Sequence, residues 1–388
     1  MCIITFQDIA SIETQKLISN HKVKMLNNKT VAVVVPCYNE ETQIGMVIET
    51  MPDFVDRIVI INDNSTDRTA EVVKEYIAKD QSAKIAIGNI LNKVKPNRYN
   101  RANMVVQNLQ KEESKFYMPS EVYNTSELDR IVLVNHLQNS GKGAGVSTGY
   151  KWAKDHGIDC TATMDGDGQM DPEELESLCL PIVDGGVDYV KGNRLIHRSA
   201  LLVIPKVRYL GNSILSILTK LASGYWRVSD TQTGYAAMSN KALNSIRLYE
   251  IYKSYGYPND VLVKLNIAFC TIKEVEIKPV YDIGEQSKMK IFKVIPTVSW
   301  LLLKSFFKRL WYKYLFRDFH PLFILYHLSF FIGLVLIPVA IRIIKDLISG
   351  TTLTYQILTI FVFLFISFFQ FLLFAMWMDI QDNERLQK

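Results

Sequence analysis

Asp165 and Asp167 flank a single glycine, Gly166, directly after the apolar run Cys160-Thr161-Ala162-Thr163-Met164. Such a run reads as a strand buried on both faces, and two carboxylates where it ends are costly to bury without a partner. Their chemistry is that of a hard-cation site, with oxygen donors placed to hold a divalent ion against a phosphorylated ligand. A structural reading makes Asp167-Gly168 a turn and Asp171-Pro172-Glu173 a helix start, and the two readings are compatible. Two arginines follow. Arg194 comes after a predicted strand over 187–192, and Arg208 lies fourteen positions later, with Lys206 and Arg227 as further cations nearby. A guanidinium fork matches phosphate oxygens, although surface salt bridges are the plainer use of the same residues.

The elements that must position these groups are legible as alternating strands and helices. Val31-Ala32-Val33-Val34-Val35-Pro36 predicts a buried parallel strand, and a helix is expected from Asn39 through about Met51, capped by Asn39 and favoured by Glu40 and Glu41. Arg57-Ile58-Val59-Ile60-Ile61 predicts a second strand, ended by Asn62-Asp63-Asn64-Ser65-Thr66-Asp67, with a helix from about Thr69 to Ala78. Arg130-Ile131-Val132-Leu133-Val134 is another strand, and Gly141-Lys142-Gly143 leads into another helix. This alternation predicts an α/β domain with a mostly parallel sheet whose ligands bind at the carboxyl ends of the strands. Each polar cluster above falls at such an end. Asp63 is either a ligand contact or an Asx-turn residue, Glu40 a pocket wall or a helix-start charge, and Lys142 a nucleotide contact or a solvated lysine. Asp230, before the Thr233-Gly234 turn, is expected to orient a ligand or to cap a helix. Residues 81–129 break the pattern as an insertion, and residues 1–28 form an N-terminal extension.

The chain has 388 residues and a formal charge of +5, too modest to imply nucleic-acid binding. Its five scattered cysteines, without a Cys-x-x-Cys pair, read as free thiols in a reducing compartment, and the N-terminal residues do not read as a cleaved signal peptide. Two uncharged apolar runs, 321–341 and 353–378, are each long enough to cross a hydrocarbon core of ~30 Å, and their short connector predicts a hairpin. Before them lie Trp300, Lys304, Phe306, Phe307, Lys308, Arg309, Trp311 and Tyr312 at near-helical spacing. That pattern predicts one or two interfacial amphipathic helices over 285–320, kinked at Pro296 and drawn to anionic lipid, against the alternative of a helix packed on the soluble domain. Basic residues crowd the side before Pro321. The positive-inside rule therefore puts the N-terminal α/β domain and both termini in the cytoplasm of a two-span cell-membrane protein, with a tail over 379–388. His327 and Gln370 inside the spans are expected to make interhelical hydrogen bonds.

Five motifs occur in order: Pro36-Cys37-Tyr38-Asn39-Glu40, the Asn62–Asp67 stretch, Gly141-Lys142-Gly143, Asp165-Gly166-Asp167-Gly168-Gln169, and Asp230-Thr231-Gln232-Thr233-Gly234-Tyr235. Together with the apolar tail, the set resembles the family 2 glycosyltransferases of GT-A (Rossmann-like) fold, and within them the polyprenyl-phosphate glycosyltransferases such as dolichyl-phosphate mannose synthase. The resemblance runs from about Lys29 through the second span. It implies a domain over 29–284 that transfers a hexose or N-acetylhexosamine, with inversion, from a nucleotide-sugar (UDP favoured over GDP) to dolichyl or undecaprenyl phosphate. It further implies Mg²⁺ or Mn²⁺ held by Asp165, Asp167 and Gln169, and a nucleotide-sugar pocket bordered by Pro36, Tyr38, Glu40, Asp63, Lys142 and Gly166. Arg194, Arg208 and Asn212 would grip the lipid phosphate, Asp230 would serve at the catalytic centre, and the chains would form a homo-oligomer, a tetramer. The competing readings are a membrane-anchored family 2 transferase acting on a sugar or glycolipid hydroxyl, and a non-catalytic membrane scaffold of the same fold. A processive polysaccharide synthase is disfavoured, because the chain lacks Gln-x-x-Arg-Trp and Tyr225-Trp226-Arg227 does not replace it.

Overall fold

The structure is a computed structural model and describes residues 26–80, 87, 97–124, 128–281 and 291–388. The strands are β1 (Val31–Cys37), β2 (Arg57–Asn62), β3 (Ser120–Val122), β4 (Ile131–His136), β5 (Cys160–Thr163), β6 (Tyr189–Asn193), β7 (Ala236–Ser239) and β8 (Ile272–Glu276). Among the described residues they form one eight-stranded sheet in the order β3-β4-β2-β1-β5-β7-β6-β8. The pairs β1–β2, β1–β5, β2–β4 and β6–β8 are parallel. β7 runs antiparallel to both β5 and β6, and β3 runs antiparallel to β4. The mostly parallel α/β sheet expected from the alternation is therefore present, with β7 and β3 reversed.

Every residue of β1 and β2 is buried, because helices cover both faces of the sheet. Four helices belong to this half of the domain: α1 (Ile44–Glu49), α2 (Thr69–Lys79), α3 (Arg101–Glu113) and α4 (Lys142–Asp155). They are followed by α5 (Leu175–Val183), α6 (Lys206–Ser223) and α7 (Tyr257–Ile267). Alternate β1 residues divide between two cores. Val33 and Val35 pack with Leu175 and Leu178 of α5, and Ala32 and Val34 pack with Val146 and Tyr150 of α4. Helix α4 approaches β1 so closely that a Cβ on Gly149 would lie 2.2 Å from Val34 Cγ1, so only glycine fits there.

The first helix differs from expectation. It starts at Ile44, not at Asn39, and its N-terminal residue Gln43 makes no side-chain cap. Asn39 adopts φ 56° and its side-chain oxygen accepts the Thr66 N–H (2.8 Å). Ser65 Oγ accepts the Asn39 N–H (3.0 Å), and Glu41 Oε2 accepts the Arg68 N–H (2.9 Å). The loops after β1 and β2 are thus tied to each other, and that bonding outcompetes an earlier helix start. In the insertion, α3 buries none of its residues and β3 is exposed along its length. Residues 1–25, most of 81–96, and Lys288 and Lys290 of the basic stretch lie outside the described residues.

The C-terminal part consists of α8 (Ile291–Trp311), a π-helical turn (Tyr312–Arg317), α9 (Pro321–Ile348) and α10 (Tyr355–Glu384). Where one or two helices were expected there is one, running through Pro296. One face packs as the alternative reading expects. Val298, Leu302, Phe306 and Leu310 are buried with Leu215, Ala222 and Val263 of the α/β domain, while Trp300, Leu303, Phe307 and Trp311 face outward. Helices α9 and α10 are long and apolar enough to cross a membrane, and the most apolar stretch of α10 contains no buried residue, unlike a core helix. His327 bonds to the Phe323 carbonyl of its own helix (2.7 Å), and the interhelical bond comes instead from Ser329 Oγ to the Phe368 carbonyl (3.1 Å). The expected tail at 379–388 is not a separate segment. α10 continues to Glu384, and the chain then pairs with the edge of the sheet, Ile272 N donating to the Leu386 carbonyl (2.8 Å) and Lys388 N to the Ile272 carbonyl (2.9 Å).

Candidate functional site

A cavity of about 710 Å³ opens at the carboxyl ends of β1, β2, β5 and β6. Of the residues singled out in the sequence, Pro36, Tyr38, Glu40, Asp63, Lys142, Asp165, Gly166, Asp167, Gln169, Arg194, Arg208 and Asn212 all line it. The convergence follows from topology, since the sheet brings the ends of separate strands into one crevice. The aspartates sit behind β5 on one side of this crevice, and the arginines arrive from β6 and α6.

Lys142 Nζ lies 2.5 Å from Asp165 Oδ2. Burial opposes the lysine's charge, but Asp165 and Asp167 outweigh it and hold the ammonium above the usual lysine range. Burial and the neighbouring Asp165 push the Asp167 carboxyl up to about 6. Asp167 also makes the expected turn, accepting the Gln169 N–H (3.0 Å), and Asp171 caps the following helical turn by accepting the Glu173 N–H (3.0 Å). Among the described residues no group of three or more His, Cys, Asp or Glu side chains is gathered as a metal cage. Two carboxylates two residues apart fit a hard cation whose remaining oxygens come from a bound ligand, as Mg²⁺ takes phosphate and water. The buried Gln169 Nε2 has no hydrogen-bond partner among the described residues, and as a donor it suits an acceptor oxygen of a bound phosphate.

Asp63 is committed within the protein. Its carboxylate accepts the N–H groups of Ser140 (2.9 Å) and Gly141 (2.8 Å) and meets His136 Nδ1 (2.8 Å). Burial raises its pKa, and these bonds more than offset that and leave it lowered. It both borders the cavity and builds the turn that leads Lys142 into α4. His136, whose Nε2 meets Thr148 Oγ1 (2.9 Å), supports it from behind.

Asp230 departs from expectation. It is fully buried and does not line the cavity. Its two oxygens receive Arg194 Nε (2.8 Å) and Nη2 (3.1 Å), together with the Arg194, Gln232 and Thr233 N–H groups. It caps a turn, not a helix, and it holds Arg194 by a bidentate pair, so it is a positioning residue. Burial alone would raise its pKa, and Arg194 and Lys191 hold it below the usual carboxylate range. Lys191, overlooked in the sequence, donates to the Thr233 carbonyl (2.7 Å) from a fully buried place beside Asp230. Burial lowers its pKa to about 8. Its signal was a lysine inside a predicted strand. Arg208 lies 5.7 Å from the Tyr281 ring centroid, and both line the cavity. Arg227 plays no part there. It pairs with Glu384 and its N–H donates to Gln387 Oε1 (2.6 Å), because the turn that carries it faces the C-terminal residues. Lys206 is exposed and does not line the cavity either.

Helix α6 also carries an apolar surface that went unread in the sequence. Val207, Leu210, Ile214 and Ile217 of α6 are exposed, and so are Leu201 and Leu202 just before it. The opposite face of α6 carries Arg208, Asn212 and Leu215 into the cavity.

The model of glycosyl transferase family 2 matches residues 32–89 and 118–247. The UDP-N-acetylglucosamine–dolichyl-phosphate N-acetylglucosaminyltransferase of Methanococcus voltae is 28% identical over 255 residues, 66% of this chain and 87% of that protein. A dolichyl-phosphate beta-glucosyltransferase of Trichomonas vaginalis is 24% identical over 299 residues, 72% and 74% of the two chains. The polyprenol monophosphomannose synthase of Mycolicibacterium smegmatis is 30% identical over 135 residues, 33% of this chain and 48% of that protein. Among solved structures, glucosyl-3-phosphoglycerate synthase from Mycobacterium tuberculosis with Mn²⁺, UDP and glucosyl-3-phosphoglycerate aligns with a TM-score of 0.43 and 15% identity, over 80% of this chain and 86% of that one. With its ordered motifs gathered around one cavity and residues on both sides of the insertion matching the family model, the chain carries a glycosyltransferase family 2 domain.

Proposed function

We propose that this protein transfers a hexose or N-acetylhexosamine from a nucleotide-sugar to a membrane-held polyprenyl phosphate, with inversion at the anomeric carbon. The observation that carries the reading is the division of one cavity. Two carboxylates suited to a cation–diphosphate lie behind β5, two arginines suited to a phosphate monoester arrive from β6 and α6, and the α6 face outside is apolar. Three relatives named for sugar transfer to dolichyl or polyprenyl carriers support it, and the Methanococcus voltae enzyme favours a UDP-sugar.

Asp165 and Asp167, with Gln169, would hold Mg²⁺ or Mn²⁺. When bound, the ion supplies charge stabilisation to the departing nucleoside diphosphate. Lys142, kept protonated by its carboxylate neighbours, adds a second cation on that side. On the acceptor side, Asp230 fixes the Arg194 fork, and Arg194 and Arg208 orient the phosphate and relieve its repulsion from the donor. An acceptor phosphate oxygen forms the new bond to the anomeric carbon while the bond to the diphosphate breaks and its electron pair leaves with the nucleoside diphosphate. A phosphate monoester has its second pKa near ~6 and arrives already anionic, so no general base is required. Asp230 is spent on Arg194. The positive charge before Pro321 favours a cytoplasmic catalytic domain.

The test is to incubate purified full-length protein, Mg²⁺ and polyprenyl phosphate in vesicles with labelled UDP-glucose, UDP-N-acetylglucosamine and GDP-mannose, then extract into organic solvent. Label is expected in the lipid phase from one donor, reduced about 10²-fold or more by Asp165→Asn or Asp167→Asn. Label in no lipid fraction, or undiminished transfer by both variants, overturns the proposal.

A further inference from the structure

Helix α6 has one end in the cavity and the other in a clamp. Arg208, Asn212 and Leu215 line the cavity from its first ten residues. At its far end the carbonyls of the last turn lack intrahelical donors, as in any helix. Arg309 of α8, fully buried, supplies them, with Nε donating to the Ala222 carbonyl (2.9 Å) and Nη2 to the Leu221 carbonyl (3.0 Å). The chain makes room for it with Gly224, at φ 77°, where a Cβ would lie 2.6 Å from Arg309 Nη1.

Arg309 is gripped in turn by Asp379, where α10 emerges from its apolar stretch. Nη1 donates to Oδ1 (2.7 Å) and Nη2 to Oδ2 (2.8 Å), and neither side chain is exposed. The Tyr314 hydroxyl donates to Asp379 Oδ1 (2.9 Å), and Asn383 Nδ2 donates to the same oxygen (2.8 Å). A buried ion pair is weak evidence of stability, since an apolar replacement is often as stable, so its use here lies in geometry. It joins three elements at one point: the acceptor-side helix, the amphipathic helix and the second apolar helix.

Building on the function proposed above, we propose that Asp379 is a positioning residue for the acceptor phosphate: through Arg309 it fixes the end of α6, and so the place of Arg208 in the cavity. The apolar hairpin then sets the acceptor site as well as anchoring it.

The test uses the full-length protein in dioleoylphosphatidylcholine vesicles, with Asp379→Asn, Arg208→Ala and the double variant. Asp379→Asn is expected to raise KM for polyprenyl phosphate about tenfold, the scale of one lost charged hydrogen bond, while the Kd for UDP stays at the parent value. In the Arg208→Ala background it should add nothing. Tyr314→Phe, which keeps the ion pair, covers the case in which Asp379→Asn does not fold, and is expected to raise the same KM about threefold. Additive losses in the double variant, an equal loss of UDP affinity, or an unchanged acceptor KM in both single clamp variants overturns the clamp. A parent protein that transfers to no polyprenyl phosphate would remove the underlying function instead, so the two failures are separable.

Discussion

Asp230 and Lys191 show how a charged group can serve a site without touching a ligand. Asp230 spends both oxygens on Arg194 and the turn at 230–233, and Lys191 closes the other side of that turn at the Thr233 carbonyl. Replacing Asp230 by Asn keeps the shape and removes the charge. The expected result is a rise of about tenfold in acceptor KM with unchanged UDP affinity, read by steady-state kinetics and calorimetry. Lys191 gives a pH signature. Its pKa falls from 10.5 to about 8 on folding, so between those values the unfolded chain binds the extra proton and stability rises with pH. Lys191→Met should flatten that limb of a melting-temperature profile taken from pH 8 to 10.5, and an unaltered limb would assign it to other groups. The sequence made the residue types and strand-end positions of this site readable, because motifs such as Asp165-Gly166-Asp167 are local. It could not reveal that Asp230 faces Arg194 and not the cavity, because that pairing spans 36 positions and depends on β6 and β7 lying side by side.

At the scale of elements, the long buried strands were readable from composition because both faces of β1 and β2 are covered. β7 was not, since Ala236-Ala237-Met238-Ser239 has neither alternation nor β-branched residues and is placed by its two antiparallel neighbours. The start of α1 was misread for a related reason, as Asn39 bonds across to Thr66 in the next loop. Helix α4 carries Lys142 to the cavity, and its depth depends on Gly149. Gly149→Ala is expected to destabilise the fold by about 1–3 kcal/mol, because the methyl group meets Val34 inside a core that cannot expand freely. Thermal or denaturant melts would register the loss, and a variant as stable as the parent would show that α4 can slide on the sheet.

For the whole molecule, the decisive matter is whether the hairpin and its flanking helix are appended to the catalytic domain or belong to it. From sequence alone, removing everything from Lys288 onward should leave donor hydrolysis or donor binding and abolish transfer to long-chain lipid. The fold changes that expectation. Helix α8 buries Val298, Leu302, Phe306 and Leu310 against α6 and α7, and the chain after α10 pairs with β8 at Ile272. Each fully buried apolar side chain contributes about 1.5–3 kcal/mol, so these four alone amount to roughly 6–12 kcal/mol as an upper bound. A typical domain has a net stability of only about 5–15 kcal/mol. Leu386, buried with Tyr189 and Tyr225, adds a further contact that the shortened chain would lose. A protein ending before Lys288 is therefore expected to unfold at a lower temperature than the full chain in detergent, or to aggregate, and to lose UDP binding as it does so. A cooperative melt at the full-length temperature with parental UDP affinity would mean that the α8 contacts add little, and that the membrane segments are a tether on an independent catalytic unit.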